Sequence, residues 1–236
     1  MAMPSTAEQK AFWDSWNGHY RSGGVDPFMQ RQLEAAVDVA SRRGLRGARI
    51  IDVGCGSGWL GDGLRSFGSV VGIDLSEAAI GHGRSAHPDL RLIVGDFATT
   101  DVGGGYDYAV SADAIAHVPE QQLFVERVAT ILKPGGVFLL MTQNPAVWTR
   151  NSKLSPQGTG QIREWPSLAR LRELLAPSFV VEHVSSLVLG GDRGFFRALR
   201  YVNAVMRRTI GRARWDRVLE QRLLLGREYV IEARRA

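Results

Sequence analysis

Residues 50–58 read Ile-Ile-Asp-Val-Gly-Cys-Gly-Ser-Gly, an apolar run that ends in an acid and passes into three glycines at alternate positions. No other stretch constrains the fold as tightly. Ile50, Ile51 and Val53 suit a buried strand. Gly54, Gly56 and Gly58 allow a tight turn and let a ligand approach bare backbone. Trp59 to Phe67 then reads as a helix, which sets the loop at a helix N-terminus with unpaired N–H groups. Asp52 is the unusual element. A site for a bare phosphate would not normally carry a carboxylate beside the incoming anion, whereas a ligand bearing a cationic amine would be stabilised by it.

The rest of the chain repeats the alternation. A helix over 7–20 gathers Phe12, Trp13, Trp16 and Tyr20 on one side. A break at 22–27 and a helix over 28–43 follow. Strands are expected at Arg49–Val53, Ser69–Asp74, Leu90–Val94, Tyr106–Ser111 and Val137–Thr142. Helices are expected at 59–67, at Glu77–Ala86 with Ser76 as N-cap, and at Glu120–Leu132. Lys133-Pro134-Gly135-Gly136 reads as a turn and 143–166 as a long loop. A helix at 167–176, a strand at 178–186 and a last strand at Arg227–Ala233 complete the pattern. Strands and helices alternating in this way build a parallel sheet covered on both faces, which binds ligands at the carboxyl ends of its strands.

Bulk properties exclude several classes. The 236 residues favour one domain, and the 44% apolar content is ordinary for a globular chain. No stretch approaches 18 uncharged apolar residues and the N-terminus lacks a signal pattern, so a cytoplasmic location is the default expectation. Cys55 is the only cysteine, which rules out an intrachain disulfide or a cysteine-built zinc site. Its place in the glycine loop suits either simple packing or a reactive thiol, and a lone buried thiol is usually inert. The net charge of +5 is concentrated. Residues 187–225 hold nine arginines against Asp192, Asp216 and Glu220, a local charge of +6.

Five signals recur in order: Asp52-Val53-Gly54-Cys55-Gly56-Ser57-Gly58, then Val70-Val71-Gly72-Ile73-Asp74, Gly95-Asp96-Phe97, Tyr106-Asp107-Tyr108-Ala109-Val110-Ser111, and Leu132-Lys133-Pro134-Gly135-Gly136. Together they resemble the class I S-adenosylmethionine-dependent methyltransferases, and within them the small-molecule group of the ubiquinone- and menaquinone-biosynthesis type. The resemblance covers 45–142 with specific motifs and 165–186 more loosely. It implies a doubly wound, Rossmann-like α/β fold of seven strands with the last antiparallel. The expected organisation is a single domain: an N-terminal helical cap over 1–44, a core over 45–186 and 226–236, and a basic helical insertion over 187–225.

The resemblance also implies roles. S-adenosyl-L-methionine is the implied cofactor and S-adenosyl-L-homocysteine its product. The backbone at Gly54 and Gly56 should approach the methionyl end, with Cys55 and Gly58 in the same loop. Asp52 should hold the ammonium, directly or through water. Asp74 should accept both ribose hydroxyls, each bond contributing roughly 1.5–3 kcal/mol. Asp96 should accept from the adenine amino group, with Phe97 beside the ring and Ile73 and Leu75 flanking it. Ser111 at the end of the fourth strand and Tyr20 on the N-terminal helix complete the expected cofactor set. The competing reading of Asp74 and Asp96 is a turn or helix-cap role.

Methyl transfer asks mainly for alignment and exclusion of water, with a base only where the nucleophile is a weakly acidic hydroxyl. Asp113-Ala114-Ile115-Ala116-His117-Val118 lies just after the fourth strand. Many relatives carry Glu-His-Val where this chain has Ala116-His117-Val118. His117 is either a base or a packing and orienting group, and Asp113 is a second catalytic candidate. His19 is a third, on a helix that in relatives often closes over the cofactor; an aromatic helix face in the core is the alternative. No metal is expected, because Gln143-Asn144 replaces the carboxylate that a metal-assisted catechol pattern needs.

A nicotinamide oxidoreductase is the rival from another class, since Gly56-Ser57-Gly58-Trp59-Leu60-Gly61 satisfies G-x-G-x-x-G and Asp74 lies downstream. Against it stand the intervening Asp52-Val53-Gly54-Cys55, the Gly-Asp-Phe and the Lys-Pro-Gly-Gly turn. A non-catalytic cofactor-binding protein is a further rival, and an RNA or protein methyltransferase is the rival within the fold. The expected acceptor is a small molecule, anionic or aromatic, methylated on oxygen rather than nitrogen or carbon, a preference resting on His117. The chain is expected as a monomer or homodimer without nucleic acid. The basic segment, with apolar residues near helical spacing from Phe195 to Ile210 and a second helix at 214–225, is read as a solvated helical insertion, a lid supplying an arginine, or a contact with an anionic polymer or surface.

Overall fold

In the computed structural model of the chain, the described residues are 3–20, 26–150, 154–189 and 218–236, together with 202, 205, 206, 208, 209, 211, 214 and 215. Two helices, α1 (Thr6–Tyr20) and α2 (Pro27–Arg42), precede the sheet. Asp26 starts α2, its carboxylate accepting the N–H of Phe28 and Met29, and proline at the first position fits the helix entrance.

Seven strands follow: β1 (Ala48–Val53), β2 (Gly68–Asp74), β3 (Arg91–Val94), β4 (Tyr106–Ala112), β5 (Leu132–Gln143), β6 (Phe179–Leu189) and β7 (Gly226–Arg235). Their order is β3-β2-β1-β4-β5-β7-β6. The first five are parallel, and β7 runs antiparallel to both β5 and β6. Helices α3 (Trp59–Gly63), α4 (Glu77–Ala86), α5 (Gln121–Ile131), α6 (Pro145–Trp148) and α7 (Leu168–Leu175) connect them.

Period-two alternation divides the core between the two faces of the sheet. Ile51, Val53, Ala109, Phe138 and Leu140 pack with α5 and α7. Ile50, Tyr108, Val110, Leu139 and Met141 pack with α2, α3 and α4. Each fully buried isoleucine here stabilises the fold by roughly 1.5–3 kcal/mol. Tyr108 is completely buried, and its hydroxyl donates to the Ala36 carbonyl at 3.1 Å, which ties β4 to α2.

The differences from the sequence expectation are local. The helix over 59–67 divides at Gly63 into α3 and a 3₁₀ turn, Arg65–Phe67, where glycines at 61 and 63 weaken helix continuity. Lys133-Pro134-Gly135-Gly136 is drawn into β5 instead of preceding it. Leu132 pairs with Tyr106, the register then slips so that Val137 faces Tyr108, and Gly135 takes up the slack at φ +75°. The loop expected over 143–166 contains α6, capped by the Asn144 carboxamide. Strand β6 continues to Leu189, past its expected end. About half of the basic segment lies outside the described residues; of the expected helix from Phe195, residues 202, 205, 206, 208 and 209 are described, each helical. Of the second expected helix, 214 and 215 are helical and Val218–Arg222 forms a single π-helical turn.

Candidate active site

The carboxyl ends of β1, β2, β4 and β5 open into one cavity of 440 Å³ at the point where strand order reverses. Val53, Gly54 and Gly56 form one wall; Ile73, Asp74 and Leu75 the next; Gly95, Asp96 and Phe97 a third. Asp113, Ala114, His117, Leu123, Phe124 and Gln143 enclose the far end. Helix α1 supplies the roof through Gln9, Trp13, Trp16 and Asn17. Trp13 and Trp16 of the aromatic face of α1 therefore serve the pocket, while Phe12 packs against Gly158.

Two backbone donors orient Asp74. Its carboxylate accepts the Gly56 N–H at 2.8 Å and the Ser76 N–H at 2.8 Å, joining the glycine loop to the start of α4. Gly54 and Gly56 have φ of +76° and +55°, values that L residues rarely adopt. A Cβ at Gly54 would lie 2.4 Å from the Ala114 Cβ, so the loop fits directly against the turn that carries Asp113 and His117.

Four expected cofactor residues stand behind the wall. Asp52 is 1% exposed and accepts the Gly61 N–H at 3.2 Å, so it holds the entrance of α3 beneath the loop. Cys55 points into the sheet, where its sulfur would lie 2.8 Å from a Cβ at Gly72. Burial, with Asp52 and Asp74 nearby, pushes its thiol well above the usual range, which makes it an inert packing group. Gly58 caps α3 at φ +80° against Leu90 and Leu92. Ser111 is fully buried and donates to the Val53 carbonyl at 2.8 Å, locking β4 to β1. His19 and Tyr20 close α1, and their side chains lie outside the described residues.

His117 ends a 3₁₀ turn, Ala114–His117. Its Nδ1 lies 2.6 Å from the Ile162 carbonyl, and its ring meets Trp13 edge-on at 4.8 Å. A carbonyl oxygen only accepts, so Nδ1 carries the proton and Nε2 keeps its lone pair. Burial is the main cause that drives the ring down to about 4, with Arg163 adding to it and the Ile162 bond opposing it. The loop holding Ile162 is itself braced, since Glu164 N–H donates to the Ala116 carbonyl at 2.9 Å. Asp113 sits in the left-handed region at φ +65°, with its N–H on the Met141 carbonyl at 2.9 Å. For a non-glycine residue this conformation costs about 1–3 kcal/mol.

Helix α1 is latched to α4 through Asp14, a residue sequence reasoning did not single out. Its carboxylate accepts the Ser76 hydroxyl at 2.8 Å and the Ala78 N–H at 3.1 Å, and Lys10 bridges Asp14 at 2.7 Å and Glu77 at 3.2 Å. Asn144, weighed above as a metal ligand, is committed to the protein. It accepts from Ala146 N–H and donates to the carbonyls of Leu224 and Gly226.

The wall's charge tests which cofactor fits. Asp74, Asp96, Asp113 and Glu120 line the cavity, and none of its described lining residues is Lys or Arg. On a chain of net charge +5 this is a local reversal of sign. It complements a ligand carrying a sulfonium and an ammonium, and it repels the pyrophosphate of a dinucleotide.

Comparisons with known proteins agree. A family model described as a methyltransferase domain matches residues 25–188. A Mycolicibacterium smegmatis protein named Probable S-adenosylmethionine-dependent methyltransferase is 29% identical over 181 residues, 73% of this chain and 69% of that protein. The ubiquinone biosynthesis O-methyltransferase of Rhizobium etli is 31% identical over 59% of this chain, and that of Xanthomonas campestris 30% over 54%. These matches span 61% and 60% of the two enzymes' own length. Among solved structures, the magnesium protoporphyrin IX methyltransferase of Synechocystis PCC 6803 with bound S-adenosylhomocysteine superposes with a TM-score of 0.66 at 18% identity, covering 98% of this chain and 100% of that one. The PH0226 protein of Pyrococcus horikoshii gives 0.65 at 16%, covering 94% and 99%. Both share the fold. The chain belongs to the class I S-adenosylmethionine-dependent methyltransferases, enzymes that take their methyl group from that cofactor.

Proposed function

We propose that this enzyme, as a single methyltransferase domain capped by its N-terminal helices, methylates a small molecule on oxygen: a phenol, hydroxyl or carboxylate. S-adenosylmethionine supplies an activated methyl on a positively charged sulfur. In this reading Asp74 receives the ribose hydroxyls, Asp96 the adenine amino group, and Phe97 and Leu75 flank the ring. The backbone of Gly54 and Gly56 faces the methionyl end, while Asp52 acts through the loop it supports. Trp13 and Trp16 exclude water and offer an aromatic acceptor two ring faces.

The observation that carries the oxygen assignment is the fixed tautomer of His117. With Nδ1 held by Ile162, the Nε2 lone pair is an acceptor for a hydroxyl hydrogen. His117 orients such a hydroxyl and does not keep its proton, because a ring at about 4 resists protonation at pH 7 by about 4 kcal/mol. The O-methyltransferase relatives support the same acceptor class. A library of phenols, hydroxy acids, amines and thiols incubated with methyl-labelled cofactor tests the reading. Label in ethers or esters is the expected result. Label confined to amines, thiols or carbon would overturn it.

A further inference from the structure

His117 leaves the departing proton without a holder, and the far end of the pocket contains a group with the opposite response to burial. Glu228 is the third residue of β7 and pairs with Gln143 of β5, which lines the cavity. Glu228 is 0% exposed and Gln32, reaching in from α2, is 2% exposed. The Gln32 amide donates to Glu228 at 2.7 Å and also lies 3.2 Å from the Asp113 carboxylate. The shared Gln32 amide nitrogen therefore brings the two carboxyl groups side by side. Fully buried Glu228 and half-buried Asp113, set against one amide, do not both ionise, so the pair holds one proton between them.

We infer that Asp113, backed by Glu228 and Gln32, receives the proton that the acceptor hydroxyl loses as it is methylated; this rests on the oxygen reading above. Asp113 is the only member on the cavity wall, and the left-handed turn at φ +65° presents it there. Glu228 carries the shared proton and Gln32 fixes the geometry, so both are positioning residues. The hydroxyl hydrogen turns from His117 Nε2 toward Asp113, the O–H bond breaks and the proton passes to the Asp113 carboxylate. The oxygen pair forms the new O–CH₃ bond, and the pair of the broken S–CH₃ bond stays on sulfur. A positive sulfur and a singly negative carboxyl pair thereby become a neutral thioether and two neutral carboxyls.

Burial decides between the candidates. It disfavours a protonated His117, which gains charge, and favours a proton on the carboxyl pair through Glu228, which loses charge. Burial and the facing Asp113 carboxylate push Glu228 well above the usual carboxylate range, against the opposing pull of Gln32 and Arg227. Arg227, the neighbour on the same strand, stacks its guanidinium 4.5 Å from the Trp148 ring and 5.3 Å from Phe28.

Two measurements on the full chain test the inference. Infrared spectroscopy of the protein without acceptor should show a protonated carboxyl band at neutral pH that is lost in Glu228→Gln. No such band, or one that persists in the variant, overturns the shared proton whatever the acceptor is. Asp113→Asn should lower kcat toward a hydroxyl acceptor by about 10²-fold or more, with calorimetric affinity for S-adenosylhomocysteine retained. Retained kcat overturns the inference. Labelling of amines alone would instead overturn the oxygen reading and leave the infrared result standing.

Discussion

Protonation of His117 should make the fold sensitive to mild acid. The unfolded chain binds a proton at this histidine with a value of about 6.5, and the folded chain at about 4. Between these values the unfolded state holds more protons, so stability falls as the pH falls. The contribution is fully present above about pH 6.5 and is lost progressively toward pH 4. From pH 7 to pH 5 this one ring accounts for about 2 kcal/mol, which for a chain of this size shifts Tm by about 4–8 °C. Glu228 responds with the opposite sign, because its folded value is raised, and must be removed from the comparison. His117→Gln achieves this: Glu228 is common to both proteins, and the glutamine amide can still donate to Ile162. Urea denaturation of both proteins at pH 5, 6 and 7 measures the difference in slope. If the two stability curves run parallel, the ring is not buried neutral between Trp13 and Ile162, and the orienting role falls with it.

Three further outcomes follow from the pocket wall. Asp74→Ala should weaken S-adenosylhomocysteine binding by about tenfold or more, read by calorimetry; unchanged affinity would return Asp74 to a pure turn role. Asp14→Ala removes the latch between α1 and the start of α4, at about 1 kcal/mol, and should speed amide exchange along α1 while weakening S-adenosylhomocysteine several-fold; exchange equal to wild type refutes the latch. Gly54→Ala should destabilise through both the +76° φ, about 1–2 kcal/mol, and the contact with Ala114. Adding Ala114→Gly should restore only the share due to the contact, and full restoration would show that backbone strain is absent.

The cavity wall at the ends of β1, β2 and β3 was legible because its signals are local. Asp52 through Gly58, Asp74 and Gly95-Asp96-Phe97 each lie where a strand meets its following turn, and Ser76 caps α4 as its position implied. Which side of the loop a residue faces was less legible. Asp52 and Cys55 share the motif with Gly54 and Gly56 yet stand behind the cavity wall, Asp52 under the start of α3 and Cys55 against Gly72 of β2. The acceptor half was not legible. Trp13 and Trp16 stood out as a cluster, but a roof and a core face have the same spacing. Gln32 and Glu228 were missed because polar residues in amphipathic elements read as solvent-facing. A signal was nevertheless present in β7: Glu228 and Glu232 flank Val230 on one face of a strand expected inside a sheet, where acids must find partners. Glu232 meets Arg42 and Arg43; Glu228 meets Gln32 and Asp113.

The reversed direction of β7 has a consequence for how the enzyme comes into being. Running antiparallel, it begins at the ligand end of the sheet and delivers Glu228 to Gln32 across 196 residues of chain. The wall of Gly54, Asp74 and Asp96, by contrast, is built from strands, loops and helices within residues 48–97. A chain emerging from the ribosome therefore has every strand of that wall long before Glu228 exists, and contacts of such long separation form late. The Gln32–Glu228 contact closes only when the final strand has threaded between β5 and β6, so that this end of the cavity is the last part of the molecule to be assembled.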